Sequence, residues 1–167
     1  MTHRVQLPVP RHFILRNVVQ AHGWRTLSPF RWNEATEVIA TAADLDNRPT
    51  DIFISQPSLN NVLIEWSGTI EQQTIVETAT RMLMLNIDFS EFHHRCKGHK
   101  RLDHVAEKGL GGMLRSPSIW EDVVKVLCTT NVNWGGTQNM AERLTEFFGN
   151  RTPGGYRCFP SPARIFQ

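Results

Sequence analysis

Nowhere in these 167 residues do about 18 apolar residues run together, which excludes a membrane-spanning helix. The first twenty residues also lack an apolar stretch long enough for a signal peptide. Cysteine is scarce. Cys96, Cys128 and Cys158 are odd in number and widely spaced, so no disulfide framework is expected and a reducing, cytoplasmic setting is. Charge of one sign is lacking too. Lys+Arg 18 against Asp+Glu 16 leaves +2, too little to argue for nucleic-acid binding by itself. There is no internal repeat and no low-complexity tract. A hydrophobic content of 40% and a charged content of 20% are those of an ordinary globular chain, long enough to bury a core.

Chemistry-bearing constellations are missing as well. Asp88, Asp103, Glu121 and Asp122 are each explained by helix ends or solvent exposure, and no convincing carboxylate pair emerges. Cys128 has no histidine placed to activate it and reads as a buried structural thiol. His93, His94, Cys96, His99 and His104 lie close together, but only Cys96 and His99 have a tidy ligand spacing. His93 and His94 diverge by about 100° on a helix, so no metal site and no cofactor is expected. Gly109-Leu110-Gly111-Gly112 follows no buried strand and lacks the spacing of a dinucleotide loop.

What is present first is arginine: fourteen of the eighteen basic residues, the better choice for forked phosphate contacts. Arg95, Lys97, Lys100 and Arg101 cluster between acidic stretches, a pattern that commonly marks a solvated face. Hydrophobic patterning divides the chain. Residues 11–20 suit a short helix ended by Gly23. Residues 24–27, 30–32 and 37–40 read as short extended runs, and 51–55 and 62–66 as the clearest strands, parted by a turn-rich 56–61. Successive short strands favour an antiparallel sheet. From Ile70 the period becomes helical, with Ile75, Ala79, Met82, Leu83 and Leu85 on one face to about Asn86, Asp88 capping a second helix, and a third piece over 101–108. The expected class is α+β, with a sheet region over residues 1–70 and a helical region over 71–167.

The strongest local signals come after Leu114. Ser116 suits an N-cap and Pro117 the first helical position. Trp120, Val123, Val124 and Leu127 then make a stripe expected to face inward. A further helix is expected from about Thr137, with Met140, Ala141, Leu144 and Phe148 inward and Gly149 as its stop. Between them lies Thr129-Thr130-Asn131-Val132-Asn133-Trp134, rich in short hydrogen-bonding side chains, with Gly135-Gly136 at a helix start where amides can receive a phosphate. An enzyme acting on a base must take it out of the stack, and a short amide on a rigid helix-helix turn suits filling the gap. Asn131 and Asn133 hold such positions. The same residues also suit plain capping and unusual backbone angles, and chemistry alone leaves both readings open.

Residues Trp120 to Gly149, followed by Phe159-Pro160-Ser161-Pro162, resemble in order and spacing the first catalytic-domain helices of the helix-hairpin-helix DNA glycosylases, the superfamily of the alkyladenine and 8-oxoguanine enzymes. Leu27-Ser28-Pro29-Phe30-Arg31-Trp32 resembles that family's N-terminal sheet signature, and Leu83 to Phe89 its linker into the helices. The resemblance implies base-excision repair and duplex DNA with a damaged base as partner. It implies that Asn131 enters the gap left by a flipped base, with Thr130, Asn133, Trp134 and Gly135 beside it as DNA-binding residues. Gly136 stands where 8-oxoguanine enzymes carry a basic residue, and Leu27 where they carry a glycine against the damaged purine, which leans toward alkylated or other bases.

The family's DNA-gripping hairpin and catalytic aspartate belong after Pro162, so the expectation is a truncated, DNA-binding half that does not excise bases unaided. No catalytic residue is therefore assigned. A non-enzymatic DNA- or protein-binding module is the alternative, and a metal-binding helical domain built on the His/Cys group the third option. Apolar faces left without partners would favour self-association.

Overall fold

The computed structural model describes residues 2–166. Five strands, β1 (Thr2–Pro8), β2 (Arg31–Asn33), β3 (Val38–Leu45), β4 (Arg48–Ser58) and β5 (Asn61–Ser67), form one antiparallel sheet in the order β1-β5-β4-β3-β2. Asp46 and Asn47 join β3 to β4, both with positive φ (51° and 60°). That is the conformation a two-residue hairpin turn requires, and Asp and Asn tolerate it best after glycine. The expected loop over 56–61 shrinks to Leu59-Asn60, because β4 continues to Ser58 through an irregularity in its pairing. Of residues 24–27 only Leu27 is extended. Gly23–Thr26 is a 3-10 turn held by Trp24 N–H on His22 Nδ1 (3.3 Å) and Thr26 Oγ1 on Gly23 O (2.8 Å).

One sheet face carries Ile39, Ile52, Ile54, Val62, Ile64 and Trp66. It packs on α1 (Leu15–Gln20), through Leu15, Val18 and Val19, and on α2 (Gln72–Met82), through Ile75, Ala79 and Met82. These α2 residues fall at i, i+4 and i+7, the stripe a core-facing helix needs. The core is continuous across residue 70, since Ile70, Leu83 and Leu114 belong to it with the strand residues. α2 stops four residues before Asn86, where Met84 turns to positive φ (56°). Two short helices follow, α3 (Ser90–Cys96) and α4 (Asp103–Glu107). The N-cap of α3 is Phe89, not the expected Asp88, which lies one residue earlier and receives the Ser90 N–H on its Oδ1 (2.8 Å). Gly109, at φ 61°, ends this part where a β-carbon would strike His12 O at 1.9 Å.

The helical hairpin consists of α5 (Ile119–Cys128) and α6 (Trp134–Phe148). Three expectations fail at α5. The cap is Ser118, whose Oγ accepts from Glu121 N–H (3.1 Å), so Pro117 lies outside the helix. Ser116 is buried, its N–H donated to Asp122 Oδ1 (2.8 Å). The stripe is split: Val123 (49% exposed) and Leu127 (62%) face outward beside Ile119 (68%) and Val126 (52%), while Trp120 and Val124 are half-buried. Glu121 and Lys125 take the inner face instead. Phe148 is likewise exposed, at the end of α6, whereas Ala141 is buried and Met140 and Leu144 are half-buried. Cys128 is half-buried rather than buried.

After α6 the chain folds back over the second sheet face. Asn150 Nδ2 donates to Asp44 Oδ2 (2.7 Å) and Gly154 N–H to Asp51 Oδ2 (2.9 Å). Arg31 lies 3.6 Å above the Tyr156 ring, and Cys158 is buried beneath. A last turn, α7 (Pro162–Ile165), follows.

Candidate nucleic-acid interface

The turn between α5 and α6 is built by its own side chains. Thr129 Oγ1 donates to Val126 O and Thr130 Oγ1 to Leu127 O, both at 2.7 Å, closing the carbonyl end of α5. Asn133 is the N-cap of α6, its Oδ1 accepting from Gly136 N–H at 2.8 Å. Buried Thr137 reaches back with Oγ1 to Cys128 O (3.0 Å), tying the two helices across the turn. Asparagine at the cap and threonine at the preceding helix end are the residue types that make such bonds locally.

Trp134 anchors this turn to the sheet region. Its Nε1–H donates to Thr26 Oγ1 (3.2 Å), and its ring lies against Gly23 so closely that no β-carbon fits there. A second tie runs through Asp122 on α5. Its Oδ1 accepts from Trp24 Nε1 (3.1 Å) as well as from Ser116 N–H, and its Oδ2 pairs with Arg81 of α2 at 2.5 Å. The hairpin is thus fixed to both the 3-10 turn and α2.

Of the five sequence-derived candidates, Thr130, Asn133 and Trp134 engage their side chains within the fold, and Gly135 has none. Asn131 differs. It stands exposed at the tip with φ 57°, and its amide makes no hydrogen bond among the described residues. Below it, the first turn of α6 carries no acidic residue, leaving the positive end of the helix dipole unopposed.

Sequence reasoning missed the charged pair beneath the hairpin. Lys125 is fully buried, 2.5 Å from Glu121 Oε1, with its Nζ 4.6 Å from the centre of the Phe30 ring and 5.6 Å from that of Phe159. Burial pushes the Glu121 carboxyl up and the Lys125 ammonium down, and the attraction between the two opposes both shifts. Nothing in the sequence separates this pair from an ordinary surface Glu–Lys spacing.

The His/Cys group is dispersed. His93 Nε2 lies 2.7 Å from Leu110 O and packs against Phe89 and Phe92, Cys96 is buried, and His94, His99 and His104 face solvent. Among the described residues, no group of three or more His, Cys, Asp or Glu could hold one ion, and no helix is long and apolar enough to cross a membrane. A cavity of about 700 Å³ opens between residues 10–13, the end of α2 and helices α3 and α4, lined by Phe13, Leu83, Met84 and Phe89.

No family model matches this sequence, and no curated protein does. Solved structures do match. A 3-methyladenine DNA-glycosylase from Archaeoglobus fulgidus superposes with a TM-score of 0.78 at 16% identity, over 96% of this chain and 57% of its own. MBOgg1, solved with a low-affinity DNA ligand, gives 0.71 at 17% identity, over 97% and 53%. The apo 8-oxoguanine glycosylase/lyase of Clostridium acetobutylicum gives 0.69 at 15%, over 97% and 54%. The chain therefore has the α+β fold of these DNA glycosylases over about half of their length.

Proposed function

We propose that this chain is a DNA-binding half of base-excision-repair type, in which Asn131 fills the space vacated by a displaced base. One observation carries the reading. On a fold shared with DNA glycosylases, the free amide of Asn131 projects from a turn whose other polar side chains are committed to holding it rigid. Thr130, Asn133, Trp134 and Gly135 frame the contact, and α6 offers its N-terminal amides to a phosphate. Excision is not expected of the chain unaided, which spans about half the length of the glycosylases it matches.

The test is fluorescence anisotropy with a labelled duplex carrying an abasic-site analogue, against the same duplex intact. Tighter binding to the abasic duplex is expected, with the preference lost in Asn131→Ala. Equal affinities for the two duplexes would refute the reading. A single-turnover assay on alkylated or oxidised duplex should show no excision above a no-protein control.

A second reading, a non-enzymatic DNA- or protein-binding module, is favoured by α5. A helix with a buried ion pair and an outward row of Ile119, Val123, Val126 and Leu127 has the wrong face toward water unless another surface covers it. Self-association through that row is the simplest way for the isolated chain to cover it.

A further inference from the structure

We infer that the α3–α4 turn is a second nucleic-acid contact, an anchor for the phosphate backbone of duplex DNA separate from the Asn131 tip. The first observation is where the charge lies. Residues 93–104 hold four of the eighteen basic residues (Arg95, Lys97, Lys100 and Arg101) and one of the sixteen acidic ones, Asp103. Elsewhere fourteen basic residues face fifteen acidic ones, so all the chain's net positive charge sits on this one segment.

The second observation is that these charges are free. Arg16, Arg25 and Arg81 are held by carboxylates, and Arg48 and Arg157 by backbone carbonyls. The side chains of Lys97, Lys100 and Arg101 have no ion pair or hydrogen bond among the described residues, as is true of several other cations such as Arg11 and Arg143, but these three, all exposed, fall within five residues of one another. Only Arg95 is paired, with Glu91 one turn away. The single acid of the segment is occupied, since Asp103 Oδ1 accepts from Gly98 N–H at 2.6 Å.

The third observation is that the turn is ordered by its backbone. His99 N–H bonds Cys96 O (3.2 Å), Leu102 N–H bonds His99 O (2.7 Å) and Asp103 N–H bonds His99 O (3.1 Å). Cys96 and Ala106 bury the inner side of the two helices. Three unpaired cations are thus presented on a folded turn, and little further ordering of its backbone is needed to meet a row of phosphates. Such contacts release counterions and are blind to sequence. They add affinity without adding preference for a lesion.

The experiment compares the whole chain with Lys97→Gln/Lys100→Gln/Arg101→Gln. All three positions are exposed, and circular dichroism melts check that the variant stays folded. The probe is an intact duplex titrated at several salt concentrations. The wild-type plot of log affinity against log salt should be steeper than the variant's by about 3, close to one for each cation removed. Affinity at low salt should fall tenfold or more. An unchanged slope overturns the inference, as does wild-type chain binding an acidic peptide of equal charge more tightly than the duplex.

The inference rests on DNA as the partner but not on the role of Asn131, and the two fail separately. Loss of the salt slope in the triple variant with abasic preference intact supports the anchor and leaves the tip reading standing. Loss of the slope with no abasic preference in wild type supports the anchor alone.

Discussion

The indole of Trp134 lies so near Gly23 that a β-carbon at position 23 would sit 2.2 Å from ring atom Cζ2 and 2.6 Å from Cη2. Glycine is needed here for space rather than for backbone freedom. Gly23→Ala should displace the indole and release its bond to Thr26, costing about 1–3 kcal/mol by overpacking. Urea denaturation measures the loss, and tryptophan emission should shift to the red in the folded variant. A variant with wild-type stability and emission would mean that the ring does not occupy this seat.

Asp122 joins three parts of the molecule through Trp24, Ser116 and Arg81. Asp122→Ala strands an indole N–H, a backbone N–H and a guanidinium, and should cost about 2–4 kcal/mol. Asp122→Asn keeps acceptor capacity and should lose less. Equal losses in the two variants, compared by equilibrium unfolding, would show that the side chain acts through packing alone.

Cys158 gives a pH signature. Burial, with Asp44 adding, pushes its thiol up to about 12 from an ordinary 9.0. A folded value raised above the unfolded one contributes stability that is complete below pH 9 and is lost as pH rises toward 12, where the unfolded chain ionises and the folded one resists. Stability measured across this window should fall more steeply for wild type than for Cys158→Ala. Identical slopes would place the thiol in water.

The outward row on α5 predicts concentration-dependent association of the isolated chain. Sedimentation velocity should show a dimer or larger species, and Val123→Asp/Val126→Asp should be monomeric with an unchanged melting temperature. A wild-type chain that stays monomeric as concentration rises would remove the protein-binding reading in its self-associating form.

These cases show what could be read in advance. Strands β4 and β5 announce themselves by alternation, and the Ile75-Ala79-Met82 stripe by its period. β1 does not, because Val5 and Leu7 are its only inward aliphatic residues and its partner β5 lies some sixty residues away. At α5 the period was legible and the direction was not. Periodicity says which residues share a face, whereas the choice of inner face depends on what the rest of the fold offers. Here Phe30, Phe159 and the bonds of Asp122 select the charged side. The Asn131 turn stood out because short polar side chains were crowded into it. Which of them stays free depended on geometry, since Asn133 and Asn131 are chemically alike and only one is a cap.

The closing strap of residues 150–158 has a consequence for how the protein is made. It bonds Asp44 and Asp51 across 106 and 103 residues of chain. Synthesis at about 5–20 residues per second leaves roughly 5–20 s between the emergence of β3 and β4 and that of the strap. During that interval the second face of the sheet, with two carboxylates and Ala40 and Ala42 of β3, stands open to water and to whatever waits at the ribosome exit. The sheet is therefore paired through β5 at Ser67 long before its second face is covered.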